Sequence, residues 1–478
     1  LLGAGAIFKS SVEDMTADAI MSIAGTADTD IDSVEFSPLK RQIRVTGWRS
    51  TYTSGPQTLT MKGGPAEADV TLRGLFTCLP LLGNLFFDAD SSVPVLENLT
   101  VRDISWSGRD FASSAERLEV KTVNLVYSLA QQYASGLRPP FAKAVNGVHA
   151  DRLVMSGFSH ELRSRARSGR VSADSIEAVD MRGSCAQRIT ARGLSIEPGD
   201  FRLAMDSLTL SDVRVSPELL SELVAFGRAP APTPPPSLEQ GLVDNGPLLS
   251  RAAAENAVYT AEGLPPVSVE GCELEWKGGS LEADLHVRGL SFPAAVLSDN
   301  LPISMGGISE VRVDADLSTA GVNESREQGE IRAAGLGSLR YDFVVDADAS
   351  TVRDLSLTWT DAGLTARVAH AYMPDAHAAG MLLKAGAGSL CRGDGEADRV
   401  QCGRLADFVD APGTVTLSTA KGRVLHGAEF AAILGRFGSL FEVRNEPGAA
   451  SLTVQSERLF PVSLPRSGAA ADKEAGRQ

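Results

Sequence analysis

Apolar and polar residues alternate with a period of two along most of this chain. Pairs such as Leu99/Val101 and Leu118/Val120 stand between charged and hydroxyl residues, and glycines such as Gly47 close many of the apolar runs. Such alternation is typical of half-buried β-strands, and turns every 8–12 residues or so favour an antiparallel meander over βαβ crossovers. We therefore predict a mainly β protein, built of long antiparallel curved sheets or a meander in two similar β-rich halves.

A few short helices are expected to pack on these sheets. Residues 10–25 begin with serines and acids and predict a helix, and residues 126–145 predict a strand that runs into a helix. Residues 75–87 are apolar nearly all round, so we expect a buried or membrane-facing segment there. Residues 248–255 are helix-prone, and 428–441 carry a helical apolar face, whereas alternation at Leu364, Ala366 and Val368 predicts a strand.

A proline-rich run at residues 229–237 is the clearest break in the pattern. Such a run favours extended polyproline II and cannot join a sheet ladder. We predict an N-terminal helix plus antiparallel β domain over 1–228, a linker over 229–237, a second β-rich domain with helices over 238–466, and a disordered tail over 467–478. The run can equally be an internal loop of one continuous fold.

Charge and hydropathy restrict the partners. Forty-five basic and 60 acidic residues give a net charge of −15, so phosphate backbones are repelled and nucleic acid is not expected to bind. No stretch approaches the roughly 18 apolar residues that cross a bilayer. The apolar start Leu1–Phe8 resembles the end of a signal anchor or signal peptide that lies upstream of Leu1; a buried strand is the alternative.

The sequence carries no decisive catalytic signature. We find no Gly-x-Ser-x-Gly elbow and no P-loop, and His370 and His377 lack a zinc spacing. The alternating acids of residues 28–32 lack the glycine and glutamate of a calcium loop. Asp394, Glu396 and Asp398 would hold calcium only if the loop between Cys391 and Cys402 is closed, and a solvated acidic turn is the alternative. We therefore predict no enzyme activity, no metal and no cofactor.

Cys391 and Cys402 close a short loop and form the one disulfide candidate, if the compartment is oxidising. Two unpaired thiols are the alternative. The other three cysteines stand among apolar residues and are expected to act as small core side chains.

The apolar strand face must be buried somewhere. A second sheet, packing helices and a lipid-like ligand are all able to cover it, and filling by the protein itself is as well supported by the sequence as a lipid.

Residues 31–48 form a strand, a turn containing Pro38 and a strand ending at Gly47, after a helix. This order resembles the start of AsmA/TamB-like envelope proteins of Gram-negative bacteria, and residues 118–126 and 203–215 resemble their repeated β units. The resemblance is one of pattern and transfers no catalytic residue. The chain is shorter than the long bridge-like members and has a proline-rich break that they do not need.

The resemblance implies a periplasmic protein, anchored in the inner membrane through a segment upstream of Leu1, that acts in lipid transport or outer-membrane homeostasis. Acyl chains would bind an apolar sheet face, and lipid or the inner membrane is the expected partner. The candidate lid or lipid contacts are Leu75, Phe76, Phe86, Phe87, Phe430, Ile433, Leu434 and Phe437. The alternative is an interaction scaffold with a fully packed core that binds an envelope protein.

Overall fold

The computed structural model describes most of the chain. The described residues are 9–10, 12–14, 16–17, 20, 28–54, 57–77, 86–134, 137, 146–163, 168–215, 249–277, 282–321, 324–346, 349–389, 395–420, 423–426 and 433–461. The chain divides into two compact units, Leu1–Leu290 and Ser291–Gln478. We describe each unit by itself.

Unit 1 is built from long antiparallel strands. Its strands are β1 Asp28–Ile31, β2 Val34–Ser37, β3 Gln42–Val45, β4 Trp48–Ser54, β5 Gln57–Gly63, β6 Ala66–Val70, β7 Ser92–Ser107, β8 Phe111–Val126, β9 Val148–Arg163, β10 Ser168–Arg182, β11 Cys185–Pro198, β12 Phe201–Arg214, β13 Arg251–Ala261 and β14 Leu264–Lys277. Strand β15, Glu282–Pro293, crosses the division between the units.

The strand order in unit 1 is a meander from β7 onward. Each strand from β7 to β14 pairs with the next along the chain, and every one of these pairings is antiparallel. Two short ladders pair with the other edge of β7. The ladder β2–β3–β6 joins β7 through β6, and the ladder β1–β4–β5 joins it through β5. The expected mainly β class with long antiparallel sheets is confirmed.

Two short helices lie at one end of this sheet. They are α1, Leu72–Thr77, and α2, Tyr127–Ala134, and described residues between 9 and 20 are also helical. Thr71 caps α1, since its hydroxyl accepts a hydrogen bond from the Gly74 amide at 2.7 Å. The strand that runs into a helix after residue 126 is present as predicted, because α2 follows β8 directly.

Unit 2 combines a smaller sheet with helices. Its strands are β16 Glu310–Ala320, β17 Glu324–Ala333, β18 Gly337–Asp346, β19 Thr351–Asp361, β20 Thr414–Thr419, β21 Val424–His426 and β22 Phe441–Glu446. Its helices are α3 Ala295–Asn300, α4 Leu364–Tyr372, α5 Ala376–Ser389, α6 Glu396–Asp410, α7 Ile433–Leu440 and α8 Leu452–Leu459. Helices α6 and α7 contribute Cys402, Phe437 and Leu440 to a core that packs against β19, β20 and β22.

Two local predictions are wrong. The alanine-rich stretch near 252–254 is not a helix but part of β13, because Ala252 is paired with Leu210 on one side and Leu274 on the other. Residues 364–372 form α4 and not a strand. Asp361 accepts hydrogen bonds from the Gly363 and Thr365 amides at the start of this helix, and Ala366 and Ala369 are fully buried.

The proline-rich run 229–237 lies outside the described residues. Strands β12 and β13, which flank residues 216–248, pair with each other. The division into compact units falls at residue 290 and therefore differs from the boundary expected at the proline-rich run. The tail 467–478 also lies outside the described residues.

Candidate functional site: an aliphatic face on the sheet of unit 1

Cross-strand pairing places apolar side chains in continuous rows. One row crosses eleven strands: Phe36, Ile43, Ala68, Leu99, Val120, Leu153, Ala178, Ile189, Leu210, Ala252 and Leu274. A second row crosses the same strands: Val34, Val45, Ala66, Val101, Leu118, Met155, Ile176, Ala191, Leu208, Ala254 and Cys272. Directly paired residues share a face of the sheet. We call the surface formed by these two rows the aliphatic face.

Most large side chains on the aliphatic face are half-buried, although Phe36, Val45 and Val120 are buried. Leu118, Met155, Ile176 and Leu208 all keep part of their surface exposed, whereas the fully buried positions in these strands are mostly alanines. A side chain that is shielded only by its neighbours in the sheet keeps such partial exposure. The described residues therefore leave a long apolar strip without complete cover, which is unusual for a water-exposed surface.

A line of left-handed residues crosses the strands beside these rows. Asp103, Gly157, Gly193 and Asn256, on alternate strands, have φ between 49° and 62°. Apolar residues on either side still pack together, as Ala191 and Leu194 do around Gly193. The pairing register does not change across these positions, since the Ser172–Ser195 and Ser175–Arg192 pairs on either side of Gly193 have the same offset. The inward–outward alternation therefore shifts by one residue at the same level on both paired strands.

The intervening strands place carboxylates on this line. A Cβ on Gly157 would lie 2.5 Å from Cγ of Glu116, and a Cβ on Gly193 would lie 2.5 Å from Cγ of Asp174. Asn256 donates a hydrogen bond to Asp206 at 2.8 Å. The glycines therefore make room for acidic side chains that lie over the backbone.

The opposite face of the sheet is charged. Ion pairs link neighbouring strands there, including Arg44–Glu67 at 2.9 Å and Arg152–Glu177 at 2.6 Å. One face thus suits water and the other suits apolar groups, so the sheet is amphipathic over its whole width.

Cys272 ends one apolar row and is a free thiol. Burial raises the pKa of the Cys272 thiol. The group therefore stays protonated at neutral pH and acts as a small apolar side chain.

A third row beside these two runs through Met61, Trp106, Ser113, His160, Val171 and Ile196, and one polar pair interrupts it. The Ser113 hydroxyl lies 2.6 Å from His160 Nδ1, and the His160 ring lies against Phe111. Ser113 is only 4% exposed, and no described carboxylate forms a hydrogen bond with His160. The pair thus lacks the access and the orienting acid that a nucleophilic serine requires, and it satisfies a buried hydroxyl.

The structure brings four predicted contact residues together at the end of unit 1. Phe76 and Phe86 lie 5.9 Å apart between ring centroids, and Phe87 lies 5.4 Å from Tyr127 at the start of α2. Phe86 is 66% and Phe76 39% exposed, whereas Leu75 is half-buried. Residues 78–85 lie outside the described residues.

The other predicted contacts belong to unit 2. Phe437 is 5% exposed and fills the core beside Leu440 and Phe441, so it does not offer a surface to a lipid. Ile433 and Leu434 begin α7, but their side chains lie outside the described residues, as does Phe430. Cys402 is disulfide-bonded; Cys391, its predicted partner, lies outside the described residues, so that pairing stays a prediction.

Sequence reasoning missed the rows of the aliphatic face as a site. The signal was present in the spacing of apolar residues. The step from Val101 to Ile104 spans three positions instead of two, with the left-handed Asp103 between them. Such phase shifts mark the left-handed positions across which apolar residues stay on one face.

Comparison with known proteins identifies no relative of this chain. No family model, curated protein or solved structure matches this chain. Within the described part of the chain, no helix is long and apolar enough to cross a membrane, and no three metal-ligating side chains cluster.

Proposed function

We propose that unit 1 binds the acyl chains of lipids on its aliphatic face, as a non-enzymatic protein of lipid transport or outer-membrane homeostasis in a Gram-negative envelope. The observation that carries this proposal is the half-buried state of Leu118, Met155, Ile176 and Leu208 in rows that cross eleven strands. The sequence resemblance to AsmA/TamB-like proteins supports the same function.

The energetics favour an acyl ligand. Burial of a methylene group contributes about 0.8 kcal/mol, so roughly ten buried methylenes supply about 8 kcal/mol, the free energy of micromolar binding before ordering costs. Because the rows carry no charged side chain, a hydrocarbon chain that binds there does not remove water from a charged group of the protein. The charged opposite face keeps the loaded protein soluble.

The proposed compartment is the periplasm, with an inner-membrane anchor upstream of Leu1. The disulfide at Cys402 supports an oxidising compartment, because cytosolic thiols are normally kept reduced. Protease treatment of spheroplasts tests this placement: a periplasmic chain is degraded, and a protected chain would contradict it.

Native mass spectrometry tests the binding proposal. Protein purified without detergent is expected to carry added mass that matches acyl lipids. Ile189→Gln places a polar group on the aliphatic face and should reduce lipid occupancy severalfold. Its matched control is Thr190→Gln, on the same strand and the opposite face, which should leave occupancy unchanged. A clean apo mass for the wild-type protein would reject the proposal.

The packing of unit 2 favours a second candidate function, an interaction scaffold that binds an envelope protein and no lipid. There Phe437, Leu440 and Phe441 cover the sheet, so the apolar positions are filled by the protein itself. An apo mass together with a stably folded unit 1 would support this alternative.

A further inference from the structure

The third row of unit 1 has a polar end and a long apolar part. Beyond the pair of Ser113 and His160, it crosses the five strands β10–β14 with the side chains of Val171, Ile196, Leu203, Tyr259 and Val267. Neighbouring strands lie about 4.8 Å apart, so this part of the row measures about 24 Å from β9 to β14. An acyl chain that follows the row would therefore keep apolar contacts along its length.

In the other direction the row soon becomes polar again. Trp106 and Met61 separate Ser113 from Ser50 on β4. Ser50 is 3% exposed, and its hydroxyl lies 2.7 Å from the hydroxyl of Thr29. A long apolar ligand that begins at Ser113 therefore finds matching side chains only toward β14.

His160 lies on the same side of the sheet as the aliphatic face. It pairs with Val171, which packs in one cluster with Ile176 and Leu208. Its Nδ1 lies 2.6 Å from the Ser113 hydroxyl, whereas no described group forms a hydrogen bond with its Nε2. The residue is half-buried among apolar side chains, where a hydrogen bond is stronger than in water. A ligand on this face can therefore gain a directed polar contact at Nε2.

The charges of the rows restrict the polar group that can bind there. Within the described strands, the three rows contain no aspartate, glutamate, lysine or arginine. Glu161, the residue after His160, lies on the opposite face, where Arg163 donates a hydrogen bond to it at 2.8 Å. A ligand carboxylate would thus meet no like charge beside His160. A phosphodiester, whose charge is permanent, would lack the arginine or lysine that normally pairs with it.

We propose that His160 binds the carboxyl group of a fatty acid whose chain lies along the third row toward β14. The inference rests on the proposed function and names the ligand class of the same surface. A carboxyl group suits either state of the imidazole, because a carboxylate accepts a hydrogen bond from Nε2–H and a carboxylic acid donates one to an unprotonated Nε2. Ser113 is a positioning residue, since its hydroxyl holds Nδ1 and thereby the ring.

Calorimetric titration with myristic acid and methyl myristate tests the ligand class. The two probes share the acyl chain and differ at the carboxyl group. The wild-type protein should bind the acid at least tenfold more tightly than the ester, since a hydrogen bond to a charged group contributes about that factor. Equal affinities would overturn the inference and leave acyl binding in place. This comparison needs no variant and therefore does not depend on how a variant folds.

A double variant tests the role of His160 itself. Ser113→Ala combined with His160→Leu removes both polar groups, so no buried hydroxyl is left without a partner. This variant should bind methyl myristate as the wild type does and lose the tenfold preference for the acid. The matched control is His149→Leu, on the same strand but on the charged face, where His149 pairs with Arg182. The control should keep the preference.

Three further results would contradict the assignment. A double variant that keeps the preference, with an unchanged thermal unfolding midpoint, would show that the carboxyl group does not bind at His160. Tighter binding of myristoyl lysophosphatidylglycerol than of myristic acid would replace the fatty acid by a phosphodiester lipid and leave acyl binding in place. Binding of neither myristic acid nor its ester would remove the proposed function together with this inference.

Discussion

At the scale of single residues, the left-handed positions decide the shape of the strands. Gly193 has a φ of 61° inside β11, and Asp174 of the neighbouring strand lies over it. Asp and Asn also occupy such positions, because their side chains tolerate this conformation better than branched residues do. The alternation of the sequence predicts the strands, but it does not show which polar residue takes the left-handed conformation.

Substitution of Gly193 by alanine tests this role of the left-handed positions. The left-handed conformation costs a non-glycine residue roughly 1–2 kcal/mol, and the new Cβ would also displace Asp174. Gly199 is the matched control, since its φ is 74° and no atom lies within 4 Å of the position that a Cβ would take there. In urea unfolding, Gly193→Ala should therefore lose about 1 kcal/mol more stability than Gly199→Ala. Equal losses would show that Asp174 plays no part.

At the scale of elements, strand pairing outweighs intrinsic propensity. The alanine run 252–254 of β13 favours a helix in isolation, yet Ala252 and Ala254 have apolar partners on both sides that hold the run in the sheet. The reverse holds for α4, where the alternating residues after Asp361 are helical because that carboxylate caps the first turn. The period-two pattern thus predicts most long strands, while local capping and pairing decide the ambiguous segments.

The ion pair of the β17–β18 hairpin predicts how the stability of this hairpin depends on pH. Arg326 on β17 donates two hydrogen bonds to the Asp342 carboxylate on β18, at 2.9 and 2.6 Å, and holds the pKa of that carboxyl below its usual value. A lowered pKa in the folded state means that the stabilisation is complete above the unfolded pKa of about 3.9 and is lost as the pH falls through the folded value.

Arg326→Gln should therefore lower the free energy of unfolding at pH 7, and only slightly, because water screens a pair that is largely exposed. The difference from the wild type should shrink as the pH falls below about 4, where the carboxylate becomes protonated. Urea unfolding over a series of acidic to neutral buffers measures it, and Asp342→Asn serves as the control that lacks the titrating group. A difference that grows on acidification would contradict the assignment.

At the scale of the whole molecule, the two units use their apolar positions differently. In unit 2, helices bring Phe437 and Leu440 onto the sheet, and the core is closed. In unit 1, the described residues leave the rows through Leu118 and Ile176 half-buried. Strand alternation predicts an apolar face in both units. It does not show whether that face is covered, because cover depends on which distant segments pack on it.

Quenching of Trp106 fluorescence tests the acyl-binding claim most directly. Trp106 is paired with Met61 and Ser113 in the third apolar row and lies against Phe158. Trp359 is the internal control, because its partner Val415 packs against the closed core of unit 2. Two proteins are compared, each with the other three tryptophans replaced by phenylalanine. Brominated acyl chains at micromolar concentration should quench the fluorescence of Trp106 and leave the fluorescence of Trp359 unchanged. Equal quenching of both, or none of Trp106, would contradict acyl binding on the aliphatic face.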